Sequence, residues 1–297
     1  MNNNNPLVSI GIPTYNRPQE LQKAIEALIN QSYKNLEIII SDNCSPNLLV
    51  EELCREYSKK DTRIKYYRQD ENIGMARNGE FVLNKASGQY YIWCMDDDWL
   101  SNNFIQDSVD FLLKNPDYSI VFGNMNFYNL EYSLIRKCPQ ISFDNEYFQD
   151  RMLEYCKSAI SSSLSFGLTK TVLMQEAYTT KMRLPEDWIF MIKTLFFGKG
   201  KYLPKISYNA LNNGSSKDID GLKKAFNLPH LTQDNFWQIM SENIVESILY
   251  DEFYQTRLDK NERISLALKL NNALMQNDIK PSFLTRVKNK LRRIYGK

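Results

Sequence analysis

Histidine is almost absent: His230 is the only one in 297 residues, which excludes a multi-histidine metal site or a histidine-to-histidine proton relay. The five cysteines, Cys44, Cys54, Cys94, Cys138 and Cys156, include no CxxC pair and are odd in number. That argues against a disulfide framework or a cysteine zinc site and fits a reducing cytoplasm. No apolar run reaches the ~20 residues that a membrane span needs. The segment Met1 to Pro6 has no basic stretch, and the apolar run after it is too short for a signal-peptide core. Neither GxGxxG nor GxxxxGKS/T occurs, so a standard dinucleotide site and a P-loop lack support. Large net charge is missing too. The 37 Lys and Arg against 35 Asp and Glu give +2, too weak a field for a bulk nucleic-acid binder, and no nucleic-acid partner is expected.

What is present is ordinary globular material, 43% hydrophobic and 24% charged, in a chain long enough to bury roughly 75% of its extended surface. The first hundred residues alternate. Apolar strands at Leu7 to Ile12, Leu36 to Ser41, Ile64 to Tyr67 and Gln89 to Met95 are separated by helical periodicity at Glu20 to Asn30, Leu48 to Tyr57 and Gly74 to Asn84. The run Ile38-Ile39-Ile40 is β-branched and unalternated, as in a parallel strand covered on both faces. The pattern predicts an α/β fold with a mostly parallel central sheet, and such sheets bind ligands beyond the carboxyl ends of their strands. Further on, helices are predicted over Asn102 to Lys114, Tyr147 to Lys157 and Asp187 to Phe197, the last ended by a Gly198-Lys199-Gly200 break. Strands are predicted over Tyr118 to Asn129, Ser163 to Leu168 and Lys205 to Leu211, and from Asn235 to the end the chain reads as two or three helices.

Polar residues gather at the predicted strand ends. Pro13-Thr14-Tyr15-Asn16-Arg17 follows the first strand, Asp42 the second, and Asp96-Asp97-Asp98 the fourth. Adjacent carboxylates repel and cost desolvation, and a hard divalent cation, Mg²⁺ or Mn²⁺, relieves both. An exposed acidic turn capping a helix is the alternative reading. The segment from Asn72 through Gly74 to Arg77 opens a helix whose N–H groups and guanidinium could receive an anion, or is a plain helix start.

These residues together resemble the family 2 glycosyltransferases, enzymes of GT-A fold. The resemblance rests on Val8 to Arg17, Gln31-Ser32-Tyr33, Glu37 to Asn43, Asn72-Ile73-Gly74 with Ala76-Arg77-Asn78, Ala86-Ser87-Gly88 with Tyr90-Tyr91, the aspartates with Trp99, and Glu186-Asp187-Trp188. Their order and spacing cover roughly residues 7 to 215. The resemblance implies a sugar-nucleotide donor, a UDP-sugar favoured, bound with Mn²⁺ or Mg²⁺. It places Pro13, Thr14, Tyr15 and Arg17 at the nucleoside, Asp42 on the base, and Asn72, Gly74 and Arg77 near the base or phosphates. The family's DxD motif falls on Asp96 to Asp98 in an ambiguous register. Alignment on Trp99 makes Asp98 the leading metal ligand, Asp97 the next, facing ribose or the metal, and Asp96 the spare. Asp187 corresponds to the catalytic base of an inverting displacement, and Glu186 to a residue orienting a loop or an acceptor. The chain departs from the pattern at Asn209 and Leu211, where related enzymes often carry Arg and His; Asn212 or Ser215 would have to substitute. A nucleotidyltransferase, a non-catalytic glycan-binding protein and a retaining enzyme are the competing classes.

The expected organisation is a GT-A catalytic domain over 1–220, with a nucleotide-binding half over 1–100 and an acceptor-binding half over 101–220. A helical C-terminal region follows over 221–297. Residues 280–297 hold seven basic side chains and no acid, which leaves residues 1–279 with 30 basic and 35 acidic, a charge of −5. Phe283, Leu284, Val287, Leu291, Ile294 and Tyr295 would form one stripe of a helix, a pattern for an anionic membrane surface or for a core-packed helix with a basic face. The predicted partners are a nucleotide-sugar, a glycan or lipid-linked saccharide acceptor, and that membrane surface. The predicted location is the cytoplasm, with peripheral attachment at the inner face of the membrane. His230 reads as an ordinary loop or packing residue.

Overall fold

The structure, a computed structural model, describes residues 5–158, 163–178, 181, 183–212 and 219–279. The alternating first third forms β1 (Val8–Thr14), α1 (Pro18–Ile29), β2 (Leu36–Asp42), α2 (Leu49–Lys60), β3 (Ile64–Arg68), α3 (Met75–Asn84) and β4 (Tyr90–Trp93). All three pairings among these strands are parallel, with β1 between β2 and β4. Thr14 is in register with Asp42, and Asp42 with Arg68, so the strand ends share one edge. Pro18 starts α1, where a missing N–H costs nothing.

The strand chemistry explains the two-sided sheet. Ile38, Ile39 and Ile40 are all fully buried, but period-2 alternation sends Ile39 into one core and Ile38 and Ile40 into the other. Tyr91 and Trp93 join the first core while Tyr90, Ile92 and Cys94 join the second. Between them sits a buried acid. Glu37 accepts from the Ser9 hydroxyl, the Ser87 amide at 2.6 Å, the Ser87 hydroxyl at 2.9 Å and the Gly88 amide at 3.0 Å, and pairs with Lys65. The Ala86-Ser87-Gly88 segment is therefore a clamp on β2 and β1. A Cβ on Gly88 would lie 2.7 Å from the Leu7 carbonyl and 2.8 Å from the Ser9 amide nitrogen, which leaves no room for a side chain.

The remaining elements are β5 (Trp99–Leu100), α4 (Phe104–Lys114), β6 (Tyr118–Tyr128), β7 (Leu134–Cys138), α5 (Phe148–Ser158), β8 (Leu168–Lys170), α6 (Thr171–Ala177), α7 (Glu186–Phe197) and β9 (Lys199–Leu211). Beyond them lie α8 (Ile219–Phe226), α9 (Phe236–Tyr250), α10 (Glu252–Gln255) and α11 (Lys260–Ile279). The sheet runs β3-β2-β1-β4-β8-β6-β9-β5, with β7 on β6. Its long ladders are parallel, and the short strands β5, β7 and β8 add antiparallel pairs. This is the α/β fold expected, with helices at its C-terminal end.

Several local expectations are corrected. Ser163–Phe166 is a 3-10 turn, and the strand begins only at Leu168. The Gly198 break ends α7 as predicted, but β9 starts at once, at Lys199, and reaches β6 through a shifted register. β5, β7, α6 and α8 carry no sequence pattern long enough to announce them. His230 is exposed in a loop. The basic segment 280–297 and the loop 213–218, with Ser215, lie outside the described residues. Among those described, no helix is long and apolar enough to cross a membrane. Ile244 and Ile248 of α9 and Leu266, Leu270 and Leu274 of α11 bury in the same core as Trp93 and Phe190.

Candidate active site

Asp96 is the hub of the strand-end cluster. Its Oδ2 accepts from the Thr14 hydroxyl at 2.8 Å and the Tyr15 amide at 3.4 Å, and Arg17 Nη1 reaches its Oδ1 at 3.3 Å. The same guanidinium nitrogen lies 2.8 Å from Asp97 Oδ2. Asn16 takes a positive φ of 58°, which Asn tolerates better than most residues, and its N–H donates to Ser45 Oγ at 2.7 Å. The loop from Thr14 to Arg17 is thus tied to the aspartates and leaves the Tyr15 ring exposed and Pro13 half-buried. Asp96 thus ties this loop to the end of β4.

The role expected of Asp98 meets a competing one. Its carboxyl is buried and accepts from the Tyr208 hydroxyl at 2.8 Å and the Leu211 amide at 3.3 Å. Tyr208 in turn accepts from the Met95 amide at 3.1 Å. Both Asp98 oxygens are therefore occupied by β9, while Asp97 stays half-buried with Arg17 as its partner. Of the three, Asp97 has the most freedom to take a ligand. Burial and neighbouring negative charge push the Asp96 carboxyl up to about 6 and that of Asp98 well above the carboxylate range. Burial likewise raises Asp97, against the pull of Arg17. Ionised together, the three carboxylates would carry more negative charge than one guanidinium can offset. A hard cation suits such oxygens, yet no group of three metal-binding side chains is preformed among the described residues. A cation would fit here only with part of its shell supplied by a bound diphosphate, the usual arrangement for Mg²⁺. A cavity of about 250 Å³ opens beside Asp97, lined also by Glu20, Lys23, Trp99 and Tyr132.

Asp42 is fully buried. It accepts from the Ser45 amide at 2.8 Å and the Tyr66 hydroxyl at 3.1 Å and pairs with Arg68. A nucleotide base could reach Asp42 only by displacing one of these donors, so Arg68 is the more accessible group at this strand end. The Asn72 segment is held equally well. Asn43 donates to Asn72 Oδ1 at 3.0 Å and accepts from the Ile73 amide at 2.8 Å, and the Gly74 amide also donates to Asn72 Oδ1 at 3.0 Å. Gly74 has a φ of 83° with nothing near a would-be Cβ, so the backbone angle and not space requires glycine. Asn78 exchanges hydrogen bonds with Ser41, and Arg77 beside it is exposed, with no ion pair among the described residues.

α7 delivers Asp187. Phe190, one turn along, packs on Trp93 at the end of β4 with ring centroids 5.5 Å apart. Asp187 is exposed, yet the protein around it raises its carboxyl against the opposing pull of the Trp188 and Asp187 amides. Asn209, at the position of the missing family Arg, is spent on the sheet: it accepts from Asn126 at 2.9 Å and donates to the Trp99 carbonyl at 3.3 Å.

Glu186 is a different kind of acid. Neither of its oxygens has a hydrogen-bond partner among the described residues, and Arg183 Nε stands 3.4 Å away. Burial raises its carboxyl to about 7, against the pull of Arg183 and Lys193. The folded state thus holds this proton more tightly than the unfolded chain does, and stability falls as pH rises from about 4.5 to about 7. Asp251, held low by Ser247 and Lys193 despite its burial, has the opposite sign: its stabilisation is present above the ordinary Asp range and lost on acidification. The Glu186→Gln variant should therefore gain on wild type by ~1–3 kcal/mol between about pH 5 and pH 8. Urea denaturation across that range is the check; a constant difference would show that Glu186 does not titrate there.

The family model of glycosyl transferase family 2 matches residues 9–173. The chain belongs to glycosyl transferase family 2. A Campylobacter jejuni protein named GalNAc(5)-diNAcBac-PP-undecaprenol beta-1,3-glucosyltransferase is 37% identical over 40% of this chain and 38% of its own length. Pasteurella multocida chondroitin synthase is 26% identical over 84% of this chain but 25% of its own. A Methanocaldococcus jannaschii glycosyltransferase without an assigned substrate is 24% identical over 64% of this chain and 65% of its own. The chain thus spans less than two thirds of these relatives. Among solved structures, S. aureus TarS 1-349 in complex with UDP-GlcNAc superposes with a TM-score of 0.64 at 17% identity, covering 90% of this chain and 72% of that one. That likeness establishes the fold as GT-A.

Residues that sequence reasoning missed include Tyr208, Arg68, Arg183, Lys193 and Asp251. Each is bonded to another side chain of the site or of α7 and matches no motif of its own. The only signal was a charge in an otherwise apolar helix, Lys193, or next to a helix end, Asp251.

Proposed function

We propose that this chain transfers a sugar, with inversion, from a nucleotide-sugar donor to a hydroxyl of a glycan or lipid-linked acceptor in surface polysaccharide synthesis. The observation that carries the reading is the pairing of an under-compensated Asp96-Asp97-Asp98 cluster with an exposed carboxylate, Asp187, on the helix packed over the same strand end. A UDP-sugar is favoured because the structurally similar TarS has been solved with UDP-GlcNAc. A lipid-linked acceptor is consistent with the undecaprenol-linked substrate in the name of the C. jejuni relative.

In this reading Pro13, Tyr15 and Arg68 border the base, with Asp42 behind Arg68, and Arg77 and the Gly74 helix start face the base or phosphates. Asp97 would hold Mn²⁺ or Mg²⁺ with help from Asp96 or Asp98, and the ion, when bound, would offset charge on the departing diphosphate. Asp187 takes the proton of the acceptor hydroxyl as that oxygen bonds to the anomeric carbon. The bond from that carbon to the phosphate oxygen breaks, and its electron pair leaves with the nucleoside diphosphate. Residues 280–297 would hold the protein at an anionic bilayer; equal, negligible co-sedimentation of the full chain and of a chain ending at Ile279 with anionic liposomes would reject that part.

The test is a binding and hydrolysis screen of UDP-, GDP-, dTDP- and CDP-sugars with and without Mn²⁺. A UDP-sugar should bind and release UDP, faster with the metal. Binding of none of the four classes would remove the enzymatic reading.

A further inference from the structure

The start of α7 has no side-chain cap: its N-cap position is Pro185, whose carbonyl accepts the Ile189 amide at 3.1 Å but which has no polar side chain to offer the first-turn amides. An ionic network of side chains lies beside this helix start. Asp251, buried between α9 and α10, accepts from four side chains. Lys181 reaches its Oδ1 at 3.0 Å, while Arg183 at 2.8 Å, Lys193 at 3.1 Å and Ser247 at 2.6 Å reach its Oδ2. Arg183 also turns its Nε toward Glu186 at 3.4 Å, so one guanidinium bridges the two acids. Glu186 and Lys193 stand two helical turns apart and share the face of α7 that meets this network. Asp187, the next residue after Glu186, is rotated by about 100° to the open side. Two more contacts fix the approach: Asn243 of α9 donates to the Leu184 carbonyl at 2.6 Å, and Trp188 lies between the rings of Tyr155 and Trp237, at 5.0 and 6.0 Å.

We infer that Asp251 is a positioning residue: through Arg183 and Lys193 it sets the direction of the first turn of α7 and so aims the Asp187 carboxylate at the acceptor. The inference rests on Asp187 being the base. Its physical ground is that buried ion pairs contribute little net stability compared with apolar side chains of the same size. Lys193 is only 4% exposed and must be paired to remain charged. Such a network is costly to rearrange, and here it is placed at the one helix start that bears the candidate base. It also makes the C-terminal helices part of the catalytic apparatus, although the family match ends at residue 173.

The experiment measures UDP release with Mn²⁺ from the UDP-sugar that wild type uses best, alongside donor affinity and melting temperature. Asp251→Asn should lower kcat by about 10–100-fold, the cost of a base misplaced by about 1 Å, with donor KM within about twofold. Because Asp251→Asn strands two buried cations, the double variant Asp251→Asn/Lys193→Met, which removes one charge of each sign, is made as well. It should recover the wild-type melting temperature and keep the low kcat. Arg183→Lys retains a cation for Asp251 but cannot bridge to Glu186, and it should show the same low kcat even if the other variants fail to fold. Wild-type kcat in the double variant or in Arg183→Lys, with Asp187→Asn inactive, overturns the positioning role and leaves the base in place. Full activity of Asp187→Asn removes both.

Discussion

Asp187→Asn should reduce sugar transfer by about 10²–10⁴-fold, the range that a positioned general base contributes, while donor binding stays at the wild-type value. The asymmetry is what matters. Asp187 sits on α7, and the groups proposed to touch the donor belong to the β1, β2, β3 and β4 ends and the start of α3. Removing its charge therefore leaves the nucleotide contacts intact and takes away only the acceptor for the hydroxyl proton. The amide is nearly isosteric and can still accept from the first-turn amides, and the ion pairs of Arg183 and Lys193 with Asp251 do not involve Asp187. Steady-state kinetics combined with calorimetric titration of the nucleotide separates the two terms. Equal loss of binding and turnover would assign Asp187 to the donor site; no loss of either would strip it of any part in the chemistry.

The second large effect concerns the fold. Glu37→Ala should cost ~3–5 kcal/mol, as expected when one member of a buried charged cluster is removed. Against a total stability of ~5–15 kcal/mol that is enough to leave a marginal protein. The loss comes from the partners. The Ser87 and Gly88 amides and the Ser9 hydroxyl all point at one carboxylate in a site with 4% exposure, and Ser9 and Gly88 are themselves buried. Lys65, more exposed, can be resolvated and adds little. Burial pushes the Glu37 carboxyl up, but the bonds from Lys65, Ser9 and Ser87 prevail and hold it below the ordinary glutamate value. Its stabilisation is consequently present above about pH 4.5 and lost as pH falls. Glu37→Gln, which keeps an acceptor, should lose less than Glu37→Ala. Urea denaturation at neutral pH measures both; a loss under ~1 kcal/mol for Glu37→Ala would mean that the clamp is not a stabilising element.

The parts of the molecule that could be read from sequence are those where local pattern and tertiary environment agree. Ile38-Ile39-Ile40 announces a strand covered on both sides because each Ile has its own core to enter. Strands β5 and β7 announce nothing, and β8 only as the end of a run whose first part is a 3-10 turn. They are two to five residues long, and what makes them strands is the partner across the sheet and not their own composition. The site divides the same way. Thr14, Arg17, Asp96 and Asp97 could be picked out because a strand end feeds each into one edge. The allocation of Asp98 could not, since it depends on Tyr208, 110 residues later, donating to its Oδ2. Asp42 was legible as a strand-end acid, but not its enclosure by Tyr66 and Arg68. The support for α7 was hidden for the same reason: Asp251 lies 68 residues from Arg183 and belongs to no motif.

Proton NMR of a freshly started reaction between the full chain, Mn²⁺ and a UDP-α-sugar tests the central claim most directly. If Asp187 drives a single displacement at the anomeric carbon, UDP appears together with the β-anomer of the transferred or hydrolysed sugar, before mutarotation mixes the two forms. An initial α-anomer, or the absence of UDP release from any donor, would contradict it.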